Sequence, residues 1–172
     1  MTGLDVGRWE TFALGQLGAS AALLGLVFVG ISINLRDLLS SRRLVNRAGE
    51  AVVLLATILV SSTVILVPEQ PRRAVGVELA LVGVAAFAAI FVLQRSLHPA
   101  PDSGDTGEAD EPMLAYGFRR VLGLGAPLFM FVAAVSLVAD GGGGLYWWVV
   151  GILLAYIGAL LSAWVLLVEI LR

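Results

Sequence analysis

The chain has 172 residues, of which 59% are hydrophobic and 14% are charged, and its formal net charge is -2. A soluble domain carries roughly 25% charged residues, so this composition excludes an ordinary soluble enzyme. The absence of cysteine excludes disulfides, thiolate metal sites and cysteine nucleophiles, and a single histidine argues against a multi-histidine metal centre.

Five apolar segments are long enough to cross the hydrocarbon core of a bilayer, which takes roughly 20 residues of helix. Backbone groups in lipid must be paired internally, so these segments are predicted to be helices rather than strands. The predicted helices cover residues 11–35, 44–67, 74–93, 113–139 and 145–168. The sequence therefore predicts an all-α, polytopic transmembrane helical bundle that forms a single membrane domain over residues 1–172.

Small residues recur along one side of the first predicted helix at alternating steps of four and three. The residues at this spacing are Thr11, Gly15, Gly18, Ala22, Gly25, Val29 and Ser32. Such a seam lets another helix approach closely, which drives helix association in lipid. The partner is either another helix of the chain or the same helix of another copy around a pore. In a pore, Gln16, Ser32 and Asn34 would supply polar lining, with Glu10 at the outer mouth.

The connection after the first helix is rich in arginine, with Arg36, Arg42, Arg43 and Arg47. We expect these side chains to contact anionic lipid headgroups. Glu50, beside Arg47, is predicted to pair at the inner interface. An excess of arginine on one side of the membrane marks the cytoplasmic face, which predicts an outer N-terminus and an inner C-terminus. This orientation places inside Arg36, Arg42, Arg43, Arg47, Arg95, Arg119, Arg120 and Arg172, and outside Arg8, Arg72 and Arg73.

Glu78 is the acidic side chain that lies within the third predicted helix. An ionisable residue inside a span is a candidate functional group, although near a helix end it can also pair with a neighbouring arginine. Arg72 and Arg73 are the expected neighbours. A functional Glu78 would attract cations or carry a proton at the outer side.

An acidic loop over residues 98–112 joins the third and fourth helices and is predicted to be disordered, because it is polar and rich in proline and glycine. Asp102, Asp105 and Glu108 fall at every third position, which does not match a calcium-binding loop, and a partner-binding segment is the other alternative. Pro127 lies inside the fourth helix and predicts either a packing kink or a hinge.

The fifth predicted helix carries small residues at the same spacing as the first. Gly151, Ala155, Gly158 and Ser162 lie at steps of four, three and four. We expect this second seam either to pack within the chain or to serve self-association.

The first helix carries a resemblance to known proteins in the sequences WETF at residues 9–12 and GASAALLGLVFVGISINL at residues 18–35. It resembles a family of uncharacterised small bacterial multi-pass membrane proteins, which implies an integral membrane protein and no particular activity. It is also similar to the pore helix of Orai-type calcium channels, which implies a pore-lining role. That family has four spans and an acidic ring at the outer mouth, where this chain offers Glu10 and Gln16.

No catalytic motif is present, so we expect neither an enzyme nor a cofactor or metal site. Two functions remain. One is a homo-oligomeric ion channel or small-solute pore in the bacterial inner membrane, with the first helix near the axis. The other is a membrane-embedded accessory or regulatory subunit that binds a partner through its small-residue seams. The expected partners are membrane lipid, further copies of the chain and an inorganic ion, but no nucleic acid.

Overall fold

The computed structural model describes residues 5–95 and 113–170, which form six α-helices and, within those ranges, no strand. Five helices are long and apolar enough to cross a membrane, so the all-α prediction is confirmed and the chain is an integral membrane protein. The acidic loop predicted at residues 98–112 lies outside the described residues. The helices are α1 (Glu10–Ile33), α2 (Leu35–Ser40), α3 (Arg42–Ile65), α4 (Arg72–Arg95), α5 (Met113–Val138) and α6 (Tyr146–Ile170).

The short helix α2 is a feature that the sequence pattern did not predict. Asn34 interrupts the helical backbone after α1, with φ -108° and ψ 23°, and its carbonyl then accepts a hydrogen bond from the Leu38 amide. Leu38 is buried and packs with a small apolar cluster that includes Leu44 of α3 and Leu166 of α6. The arginine-rich connection is therefore a folded segment held against the bundle.

Helix α3 lies at the centre of the bundle and contacts α1, α4 and α6, while α5 packs between α4 and α6. In its most apolar stretch 56% of the α3 residues are buried, whereas the corresponding value for α1 is 11%. Helix α1 is therefore a peripheral helix that packs on α3 with one face and leaves most of its surface uncovered.

Successive long helices run in opposite directions, so the bundle has two chemically different ends. The tryptophan end comprises residues 5–9, 66–71 and 139–147, and the arginine end comprises residues 34–47, 95 and 117–120. At the tryptophan end, the Trp9 ring meets Tyr146 edge to face at 5.1 Å between centroids, and Phe12 meets Trp148 in the same way at 5.6 Å. These ring contacts join the start of α1 to the start of α6.

Pro127 lies inside α5 without ending the helix, and α4 approaches it closely. A Cβ atom added to Gly83 would lie 3.2 Å from the Pro127 carbonyl oxygen, so glycine permits this approach between α4 and α5. In the observed conformation Pro127 therefore belongs to the packed α4–α5 contact.

Candidate functional sites on the first helix and inside the bundle

The small-residue seam of α1 faces away from the rest of the protomer. Ala13 and Ser20 are the buried residues of α1 and mark the face that packs on the bundle. At about 100° per residue, the seam is centred roughly 180° around the helix from them. All seven members are exposed, and we call them the outward stripe: Thr11, Gly15, Gly18, Ala22, Gly25, Val29 and Ser32.

The outward stripe forms a shallow groove along the helix surface. A Cβ atom added to Gly15, Gly18 or Gly25 would meet no atom within 4 Å in the described part of the chain. The large exposed side chains of Leu14 and Leu26 flank the stripe. A groove of glycine and alanine between larger residues allows close backbone approach, which is how helices associate in lipid. The geometry leaves room for a further helix on this side.

Two of the three side chains that we predicted as polar pore lining lie on the other side of α1. Gln16 is half-buried, and its backbone carbonyl accepts a hydrogen bond from the Tyr156 hydroxyl of α6 at 3.5 Å. Asn34 ends α1 and donates its side-chain amide to the Gly30 carbonyl at 3.1 Å. Ser32 belongs to the outward stripe but donates its hydroxyl to the Phe28 carbonyl at 2.8 Å. Glu10, the first residue of α1, is exposed.

The second seam, on α6, has the opposite orientation and is buried inside the bundle. A Cβ atom on Gly151 would lie 2.9 Å from the Ala126 carbonyl oxygen of α5, and one on Gly158 would lie 3.0 Å from a methyl carbon of Leu54 in α3. Ala155 and Ser162 are also buried. This seam therefore holds α6 against α5 and α3, and it is not available to a second copy.

The four arginines of the predicted lipid-facing connection do not share one environment. Arg36 and Arg42 are exposed and Arg43 is half-buried, but Arg47 is only 6% exposed. The expectation that Arg47 faces lipid is wrong, because Arg47 lies on the buried face of α3. Arg47 then lies one turn before Glu50 on the helix face that points into the bundle.

A buried polar cluster lies among α3, α4 and α5, toward the arginine end. Glu50 is 2% exposed, and its carboxylate accepts a hydrogen bond from Gln94 Nε2 at 2.8 Å. The second carboxylate oxygen pairs with Arg119 Nε at 3.3 Å. The buried polar cluster is thus Glu50, Gln94 and Arg119, one residue from each helix. Glu50 is not the interfacial residue that the sequence predicted, because its helix continues for two turns beyond it toward the arginine end.

Gly123 of α5 makes room for the buried polar cluster. A Cβ atom there would lie 2.5 Å from Glu50 Oε1 and 2.6 Å from Gln94 Nε2, so any other residue would displace these groups. Pro127, four residues later, has no N–H, and the Gly123 carbonyl therefore lacks its usual helical donor. Because Gly123 has no Cβ and Pro127 has no N–H, the backbone of α5 lies directly against Glu50 and Gln94 at this point and has one carbonyl without a helical donor.

Some buried polar atoms of α3 and α4 lack partners. Among the residues that the structure describes, Gln94 Oε1 and Asn46 Nδ2 are buried without a hydrogen-bond partner. Sequence reasoning missed Gln94 and Arg119 because both lie close to helix ends, where polar residues usually face water. A usable signal was Gly123 one turn after Arg119, since a glycine inside an apolar helix often marks a close approach.

Glu78 pairs with a residue that the sequence did not suggest. Its carboxylate accepts a hydrogen bond from Gln70 Nε2 at 2.7 Å. Arg72 instead forms an ion pair with Asp140, and Arg73 lies 3.8 Å from the same carboxylate. The predicted arginine neighbours of Glu78 therefore link α4 to the turn between α5 and α6.

Comparisons of the chain with protein-family models, with curated proteins and with solved structures find no match. Functional inference therefore depends on the chemistry and geometry of the chain itself.

Proposed function

We propose that the chain forms a homo-oligomer in the membrane, in which the α1 helices surround a common axis and line a pore for inorganic ions or small solutes. The observation that carries this proposal is the orientation of the outward stripe. The residues of α1 best suited to close helix contact point away from every other helix described in the protomer.

Self-association through α1 follows from the energetics of helices in lipid. Lipid tails are as apolar as leucine, so helices associate through close packing rather than through hydrophobic burial. Glycine has no side chain to pack against lipid, whereas two glycine-rich surfaces allow extensive contact between backbones. A surface that meets its own copy closes a two-fold dimer, whereas in a ring of more copies each subunit joins its neighbours through two different surfaces and one face of α1 can point to the common axis.

The pore proposal is supported by the order of residues along the outward stripe. Hydroxyl groups of Thr11 and Ser32 stand at its two ends, and glycine and alanine dominate between them. Val29 is the largest member of the stripe and is 56% exposed. A ring of valines would be a hydrophobic constriction, which is one way in which pores are gated by loss of water.

The alternative function, an accessory or regulatory subunit, is favoured by one further observation. Between Thr11 and Ser32 the outward stripe carries no polar side chain, and Gln16 lies on the packed side of α1. An apolar stripe of this kind also fits a helix of a different membrane protein. In that case the purified chain would conduct nothing by itself and would bind a partner through α1.

We further propose that the arginine end faces the cytoplasm and that the protein resides in a bacterial inner membrane. Arginine-rich short connections remain on the cytoplasmic side during insertion. A reporter that is active only in the cytoplasm should therefore work when fused after Arg172 and fail when fused before Met1. The reverse pattern would overturn this orientation.

Recording of purified full-length protein in a planar bilayer tests the pore. We expect ion current from the unaltered protein and a larger current from Val29→Ser, because a hydroxyl at the constriction lowers the barrier to wetting. Val77→Ser is the matched control, since Val77 is a similarly exposed valine on α4, at 53% against 56%. It should leave the current unchanged.

Two outcomes would count against the pore. A silent bilayer with intact oligomer, for the unaltered protein and for Val29→Ser alike, would leave the accessory function as the better account. Equal effects of Val29→Ser and Val77→Ser would show that α1 does not line the conducting path.

A further inference from the structure

An apolar groove separates α1 from α6 in the half of the bundle nearer the arginine end. At the tryptophan end the two helices are joined by the ring contacts of Trp9 and Phe12, and the groove lies beyond the hydrogen bond between Gln16 and Tyr156. Leu55 of α3 lines the groove between them, and Leu38 of α2 lines its end. The remaining wall residues include Leu23, Val27, Gly30, Ala159, Ala163 and Trp164.

The size of the groove restricts what can fill it. It has a volume of about 380 Å³, near the lower end of the range for sites that hold small molecules, roughly 300–1,000 Å³. Its α1 wall, from Leu23 to Asn34, rises roughly 16 Å at 1.5 Å per residue. The groove is lined almost entirely by apolar residues, with Asn34 as the polar residue among them. It is suited to a hydrocarbon chain.

Two exposed arginines lie within four residues in sequence of Leu38, which lines the groove from α2. Arg36 lies on α2, two residues before Leu38, and Arg42 begins α3. Both are exposed, and neither has an ion-pair partner within the described ranges 5–95 and 113–170. The guanidinium group is planar and matches the geometry of a phosphate. The apolar walls of the groove match the acyl chains of an anionic phospholipid, and the arginines match its phosphate.

We propose that this groove binds one anionic phospholipid of the leaflet that meets the arginine end. One of its two acyl chains lies between α1 and α6 against Leu55, the other remains in the bilayer, and its phosphate pairs with Arg36 and Arg42. The lipid then fills the space that separates the peripheral α1 from α6. Membranes rich in anionic lipid would hold α1 in place, which makes the position of the outward stripe dependent on lipid composition.

Trp164 provides a direct probe of the groove. It lines the wall and is 65% exposed, while the other tryptophans, Trp9, Trp147 and Trp148, lie at the opposite end of the bundle. Full-length protein in detergent is titrated with phosphatidylglycerol or phosphatidylcholine that carries bromine on its acyl chains, because bromine quenches tryptophan fluorescence at short range. The quenching of Trp164 is obtained by subtracting the fluorescence quenching of Trp164→Phe from that of the unaltered protein.

We expect saturable quenching of Trp164 with a preference for brominated phosphatidylglycerol. Each arginine contributes about fivefold, so the apparent Kd for phosphatidylglycerol should be roughly 25-fold lower than the apparent Kd for phosphatidylcholine. Arg36→Gln combined with Arg42→Gln should abolish the preference. Gly30→Leu should weaken binding of both lipids, because Gly30 lines the groove and a Cβ atom there meets nothing within 4 Å. Arg73→Gln is the matched control at the tryptophan end and should change neither result.

The proposal would be overturned by equal affinity for the two lipids, or by a preference that survives loss of both arginines. Absence of saturable quenching would equally contradict it. If a second copy filled the groove instead, Leu160→Cys in the same wall would form disulfide-linked dimers in membranes and the quenching would not depend on the headgroup.

Discussion

Glu50 shows how a single residue constrains the centre of the bundle. A carboxylate that is withdrawn from water needs an opposite charge and further hydrogen bonds, or it becomes costly to bury. Arg119 Nε and Gln94 Nε2 supply these contacts from two other helices. These contacts fix the relative positions of α3, α4 and α5 at one point. Apolar packing alone would specify those positions less strictly.

Removal of the buried carboxylate should be much more destabilising than removal of an exposed one. We expect Glu50→Gln to lower the free energy of unfolding by roughly 3 kcal/mol, because the carboxylate that faces Arg119 in the interior is lost. Asp140→Asn is the control. Its carboxylate also pairs with an arginine but is 42% exposed, so the loss should be about 1 kcal/mol or less. Unfolding by denaturant in mixed micelles measures both values.

The interpretation of the buried polar cluster would be wrong if Glu50→Gln unfolded at the same denaturant concentration as Asp140→Asn. A second variant, Glu50→Gln with Arg119→Gln, makes the comparison sharper. Loss of both charges should recover part of the stability, since the remaining amides can hydrogen-bond without an uncompensated charge.

At the residue scale the sequence predicted which residues are unusual but not always where they point. Gln16 and Asn34 are polar residues in an apolar helix, yet both lie beside the packed face of α1 rather than on the outward stripe. Arg47 belongs to a basic run, yet it is buried. The direction of a side chain depends on where its helix begins and which face packs, and composition determines neither.

At the scale of single helices, α1 and α6 carry small residues at the same spacing and use them in opposite ways. The α6 seam is filled by Ala126 and Leu54, while the outward stripe of α1 meets no described residue. Spacing alone predicted a contact for each helix. It could not assign the partner, because an intramolecular and an intermolecular contact require the same pattern of small residues.

Glycine-to-alanine substitutions distinguish the two helices. Gly151→Ala should lower the free energy of unfolding by roughly 1–3 kcal/mol, because its Cβ atom would lie 2.9 Å from the Ala126 carbonyl oxygen. Gly15→Ala should leave the stability of the protomer unchanged or raise it by up to about 1 kcal/mol, since alanine is the better helix former and the space is open. Thermal unfolding in a monomerising detergent measures both. Equal destabilisation would contradict the orientation of α1.

At the scale of the whole molecule, hydropathy was sufficient to predict an all-α bundle with five spanning helices. The reason is physical: an unpaired backbone is excluded from lipid, so an apolar stretch of sufficient length can only be a helix. The arrangement of the helices could not be predicted in the same way. In lipid the packed and exposed faces are both apolar, so hydropathy does not reveal that α3 is central and α1 peripheral.

The central claim is that the outward stripe of α1 meets the same stripe of another copy, and disulfide cross-linking in native membranes tests it most directly. Because the chain contains no cysteine, a single substitution gives one defined thiol per copy. Ala22→Cys lies in the outward stripe, and the control Ala85→Cys replaces an alanine of α4 that is also exposed. We predict rapid disulfide-linked dimers for Ala22→Cys and monomers for Ala85→Cys under mild oxidation. Monomers for Ala22→Cys, or equal dimer yields for both variants, would contradict the claim.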